Sequence, residues 1–109
     1  MDLCHSTDAF GVSILNPNLE ALHDLLGSLD DREIRSAEHP DVSLTNDTLG
    51  WSITVYPSGV VTLESLDQQG EAPKFLRDQT RNQALELWLQ LRDGRINNRL
   101  AKPWQSGDF

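Results

Sequence analysis

The residues able to do chemistry are few, and their spacing suits little of it. Cys4, His5, His23 and His39 are the whole stock of thiol and imidazole. Metal sites present ligands in pairs, at Cys-x-x-Cys or i, i+4 spacing. Cys4 and His5 are adjacent, and no pair has either spacing. A thiol–imidazole dyad would need the fold to deliver a histidine to Cys4, which stands in a polar opening. No serine occupies Gly-x-Ser-x-Gly, and no glycine-rich phosphate loop is present. Carboxylates are plentiful. Asp30, Asp31 and Glu33 with Glu38 and Asp41 form the densest acidic run. Hydrolysis by paired carboxylates needs a cleft that pushes their pKa values apart. This run reads as a charged loop without an aromatic platform. Its chemistry is the presentation of negative charge, and no cofactor or metal is expected.

Charge is unevenly placed along the chain. Net charge is -8 over 109 residues. Residues 1–73 hold 13 acids against Arg32 and Arg35, which gives -11. Residues 74–109 hold 7 bases against 4 acids, which gives +3. An acidic chain repels phosphate backbones, so nucleic acid is not an expected partner. An acidic face steers a basic protein; it also simply keeps a small protein soluble. The length suits a single domain, 1–109. One cysteine excludes an intrachain disulfide and fits a reducing compartment. No apolar run approaches the ~20 residues that span a bilayer. The opening "MDLCHSTDAF" lacks the basic start and apolar stretch of a signal peptide. A soluble, cytoplasmic protein with no membrane partner is expected.

The elements that must position these groups are legible by period. Residues 1–9 are polar and are expected to be loosely held and flexible. "FGVSILNP" alternates Val12 and Ile14 with Ser13, the pattern of a short strand. Asn16 and Pro17 supply an N-cap and a first helical proline. Leu19, Leu22, Leu25, Leu26 and Leu29 then form one stripe of a helix over 17–29. Residues 30–40 read as a charged loop or frayed turn. "DVSLTND" is a strand, and "GWSITVYPSGVVTLES" is a hairpin turning at Pro57, Ser58 and Gly59. "QQGEAPK" is a loop. Thr80 with Gln83 forms a capping box for a helix over 80–93, rich in Ala84, Leu85, Trp88 and Leu89. Gly94 follows at the position that ends helices. Ile96 and Leu100 continue the chain into a short turn. In the closing "KPWQSG", Trp104 is expected to anchor against the body.

The order is β-α-β-β-β-α. It predicts an α+β fold: a four-stranded, mainly antiparallel sheet with two helices on one face. Alternation puts Trp51, Ile53 and Val55 on the helix side. It puts Ser52, Thr54 and Tyr56 on the other, with Thr62 and Glu64 of the next strand. Trp51 is expected in the core and Tyr56 half exposed. Asp30, Asp31, Glu33, Glu38, Tyr56 and Glu64 are the candidate partner-binding residues.

Four stretches together resemble a group of small bacterial proteins. They are "EHPDVSLT", "GWSITVYPSGVVTLES", "ALELWLQLRDGRI" and a "KPW" close with Gly107, over residues 38 to 107. The group is the immunity proteins of polymorphic-toxin systems. Its matching positions are Trp51, Gly59, Leu87, Trp88, Gly94, Pro103 and Trp104, which are core and turn positions. They carry over no functional residue set. The resemblance implies a binder that occludes a toxin in the producing cell; the acidic charge makes a basic toxin domain the expected partner, and the lack of a catalytic constellation makes the binder non-catalytic. Two other classes stay open: a small regulatory or scaffold domain, and a small-molecule-binding protein or enzyme with a dispersed site. A toxin gene beside this one would separate the first from the second. A deep apolar pocket with converging polar groups would favour the third.

Overall fold

The computed structural model describes residues 3–65, 74–94 and 104–106. The expected class holds: one antiparallel sheet with the two long helices on one face. Among the described residues the sheet has seven strands rather than four. In chain order they are β1 (Cys4–Thr7), β2 (Ser13–Leu15), β3 (Val42–Asn46), β4 (Trp51–Val55), β5 (Val61–Ser65), β6 (Lys74–Leu76) and β7 (Gln105–Ser106). Their spatial order is β2-β1-β3-β4-β5-β6-β7. Three helices are described: α1 (Leu19–Ser28), a short α2 (Arg32–Arg35) and α3 (Arg81–Arg92).

The start of the chain corrects the sequence expectation. Cys4–Thr7 is no loose arm. It pairs with β2 on one side and β3 on the other. Cys4 and Ser6 are buried. A four-residue strand of Cys, His, Ser and Thr has no apolar period to announce it. Its order comes from being hydrogen-bonded along both edges, which is a tertiary effect.

Asn16 sits in the left-handed region at φ 48, which asparagine tolerates better than most residues. Its Oδ1 accepts from the Cys4 N–H at 3.0 Å and its own N–H donates to the Cys4 carbonyl at 2.7 Å. Asn16 therefore closes β2, and the cap passes to Asn18, whose Oδ1 accepts from the Ala21 N–H at 2.8 Å. The helix starts at Leu19 for this reason. Leu22, Leu26 and Leu29 are buried, whereas Leu19 is exposed. Each fully buried leucine contributes roughly 1.5–3 kcal/mol.

Helix α3 follows the sequence expectation closely. Thr80 Oγ1 accepts from the Gln83 N–H, and Gln83 Oε1 accepts from the Thr80 N–H. Ala84, Leu87, Trp88 and Leu91 are buried against the sheet. Val42, Leu44, Ile53, Val55, Val61 and Leu63 form the sheet side of the same core. Two polar groups tie the layers together. Trp88 Nε1 donates to the Ile53 carbonyl at 3.0 Å. Asn46, fully buried, donates from Nδ2 to the Leu91 carbonyl at 2.9 Å and accepts from the Leu49 N–H at 3.0 Å. Trp104 packs against this core, as expected; Trp51, expected inside it, is only partly buried at its margin.

Strand β6 starts at Lys74, the last residue of the expected 68–74 loop, β7 lies in the closing stretch after Trp104, and α2 falls in the segment expected as a loop or frayed turn. Three and two residues are too few to display a period, and Arg32–Arg35 is a single charged turn. The rest of the 68–74 loop, the Ile96 and Leu100 continuation, Pro103 and Gly107 lie outside the described residues.

Candidate docking surface

The β4–β5 turn is the anchor point of the surface. Pro57, Ser58 and Gly59 make a three-residue loop, closed by Tyr56 N–H donating to the Val60 carbonyl at 2.9 Å. Gly59 has φ 92, and a Cβ there would stand 3.2 Å from the Gln79 carbonyl oxygen. Glycine supplies both the left-handed backbone and the close approach. The Gln79 N–H donates back to the Gly59 carbonyl at 2.9 Å.

Arg81, in the first turn of α3, reaches the same corner. Its Nη2 donates to Asp30 Oδ1 at 3.0 Å and to the Pro57 carbonyl at 3.1 Å. One guanidinium thus joins the end of α1, the start of α3 and the hairpin turn. Asp30, read from sequence as a free charge for a partner, is engaged within the chain. Asp31, Glu33 and Glu38 are exposed.

Tyr56 is half buried beside this turn. Its phenol is pushed above its ordinary value, first by desolvation, then by the charge of Asp41 and of Glu64. Both carboxylates therefore lie close enough for Tyr56 to feel them. Glu64 is exposed on the sheet face away from the helices, cross-strand from Ser52. An open depression beside the ring is lined by Pro40, Tyr56, Pro57 and Ser58. So the structure gathers Tyr56, Asp41 and Pro40 at the hairpin turn, while Glu64, opposite Ser52, lies further along the same face toward the other end of the hairpin. The sequence reading had Asp41 and Pro40 only as part of an acidic run.

The sheet face away from the helices is less open than alternation implies. Thr62 is buried and Thr45 nearly so, and Phe75 is buried on the same face as the cross-strand partner of Thr62. The Arg77 guanidinium lies over the Phe75 ring at 5.2 Å. Thr62 does not join the docking surface; buried opposite Thr54, it lies between the half-buried Tyr56 and the exposed Glu64 on that face.

Cys4 and His5 point to opposite faces, as adjacent strand residues must. Cys4 lies in the core and His5 Nδ1 is 2.7 Å from Asp47 Oδ2. His23 is exposed on α1 beside Asp24. Among the described residues no three His, Cys, Asp or Glu side chains converge on one point, and no helix is long and apolar enough to cross a membrane. No family model, no curated protein and no solved structure matches the chain.

Proposed function

We propose that this protein is a non-catalytic binding module whose acidic end docks a basic protein partner. The observation that carries the reading is Tyr56, half buried at the hairpin turn beside a depression lined by Pro40, Pro57 and Ser58, with Asp41 in register across from it. An aromatic anchor with a charged rim is the common anatomy of a protein interface. Exposed Asp31, Glu33 and Glu38 extend the negative field and would steer a cationic partner. Within this reading, the likeness to immunity proteins makes the partner a toxin domain, occluded in the cytoplasm of the cell that makes it.

The test is affinity capture from the producing cell with two baits, wild type and a Tyr56→Ala, Glu38→Gln, Asp41→Asn variant. A basic protein retained by the first and lost by the second supports the reading. Capture that is equal on both baits removes this surface from it. Turnover of a substrate by the purified chain alone overturns it.

A further inference from the structure

The β1–β2 hairpin carries the largest unexplained apolar exposure. Phe10 is 65%, Val12 59%, Ile14 51% and Leu15 65% exposed. Soluble chains seldom leave such a cluster on a sheet edge, because an unprotected apolar edge strand pairs with other chains. Edge strands are ordinarily blunted by shortness, a lysine, a proline or an inward charge. Strand β2, Ser-Ile-Leu at the end of the sheet, is short but carries no charge and no proline.

The hydrogen-bond phase of the hairpin tells which backbone groups are free to pair. Asp8 N–H donates to the Val12 carbonyl, and Asn16 N–H to the Cys4 carbonyl. Antiparallel pairs alternate between bonded and non-bonded. With Ser6 opposite Ile14 in register, Ile14 bonds inward to β1. Ser13 and Leu15 then direct their N–H and C=O groups outward, along the free edge. Behind that edge, Phe10, Val12 and Ile14 face Ala21 and Leu25 of α1 across a groove of about 390 Å³. Asp8 and Asp24 line the same groove, and among the described residues no lysine or arginine does.

We propose that this edge takes an extended segment of a basic protein as an eighth strand, with its apolar side chains in the groove. The proposal rests on the protein-binding reading above and names the form of the contact. Main-chain bonds to Ser13 and Leu15 would give the pairing. Alternate side chains would fill the groove, as strand addition requires. Lysine or arginine beside them would meet Asp8 and Asp24. Charge decides against a second copy of this chain. A second copy also carries -8 and would bring negative charge to the acidic groove. The groove is also continuous with the acidic end. The hairpin tip at Asp8 and Phe10 lines one depression with Glu38 and Asp41.

The test uses the full chain, isotope-labelled, and a short end-blocked peptide of alternating valine and lysine. The amides of Ser13 and Leu15 are expected to shift and to become protected from exchange. Binding should weaken as salt rises. It should fall about tenfold when the peptide is N-methylated on its pairing edge, the loss of two backbone hydrogen bonds. Ile14→Lys, an exposed change that leaves the core alone, should abolish it. Equal binding of a valine–glutamate peptide would overturn the proposal. So would a dimer in sedimentation with Ser13 and Leu15 already protected, which means a second copy covers the edge. If the peptide shifts only residues around Tyr56, the strand-addition proposal fails and the protein-binding reading stands. If it binds neither surface, both fail.

Discussion

Trp88 and Ile53 meet across the two layers of the fold. The indole nitrogen of the helix residue donates to the strand residue's carbonyl at 3.0 Å, with both side chains fully buried. Removing the ring opens a cavity and strips a partner from that carbonyl. Trp88→Ala is expected to cost about 3–5 kcal/mol. Trp88→Phe keeps most of the volume and loses the hydrogen bond, for about 1–3 kcal/mol. Urea melts of the three proteins check the order. A change for Trp88→Ala below about 1 kcal/mol, far short of the core-truncation range, would contradict it.

Asn46 is the second tie between the layers. It satisfies the Leu91 carbonyl near the end of α3 and the Leu49 N–H in the β3–β4 turn. Asn46→Leu leaves the Leu91 carbonyl with the Gly94 N–H as its donor and takes the partner of the partly buried Leu49 N–H away. One such loss costs about 1–3 kcal/mol, so this change should rank below Trp88→Ala in the same melts.

Gly59→Ala should be destabilising although it adds only a methyl group. At φ 92 an L-residue is strained by about 1–2 kcal/mol, and the new Cβ would crowd the Gln79 carbonyl oxygen at 3.2 Å. Tyr56 should also lose partner affinity in this variant, because the turn that seats it would shift. Thermal melting together with a binding isotherm checks both.

These three sites show what was legible in the sequence. Helix α3 was, because Thr80 and Gln83 cap it locally and Trp88 lies on a continuous apolar face. The β4–β5 hairpin was, because Ile53, Val55, Val61 and Leu63 alternate and Gly59 marks the turn. Strand β1 was not, since Cys4 and Ser6 are buried by their neighbours and not by any period of their own. The docking surface was half legible. Tyr56 and Glu64 follow from strand alternation, but the pairing of Asp30 with Arg81 spans 51 positions and leaves no local trace. The exposed apolar edge leaves one signal in the sequence. Val12, Ile14 and Leu15 put apolar side chains on both parities of a strand with no charge.

Tyr56 is the sole tyrosine, so its ionisation can be followed directly by absorbance. It should titrate above the free value of about 10. Asp41→Asn and Glu64→Gln should each bring it down, Asp41→Asn by more. The folded chain holds this proton longer than the unfolded chain does. The stability so contributed is full below about pH 10 and is lost as pH rises through the folded value. A tyrosine that titrates at the free value, unmoved by either substitution, would remove Asp41 and Glu64 from its surroundings.

The most direct measurement of the central claim is the association rate with the captured basic partner as a function of salt. Screening shortens from about 10 Å at 0.1 M to about 3 Å at 1 M, so wild-type association should slow steeply over that range. Asp31→Asn, Glu33→Gln and Glu38→Gln combined should lower the rate at low salt and flatten the slope. Asp30→Asn alone should change it little, because Arg81 already meets that charge. Tyr56→Ala should instead speed dissociation. A rate indifferent to salt, or one that the triple variant leaves unchanged, would contradict the account.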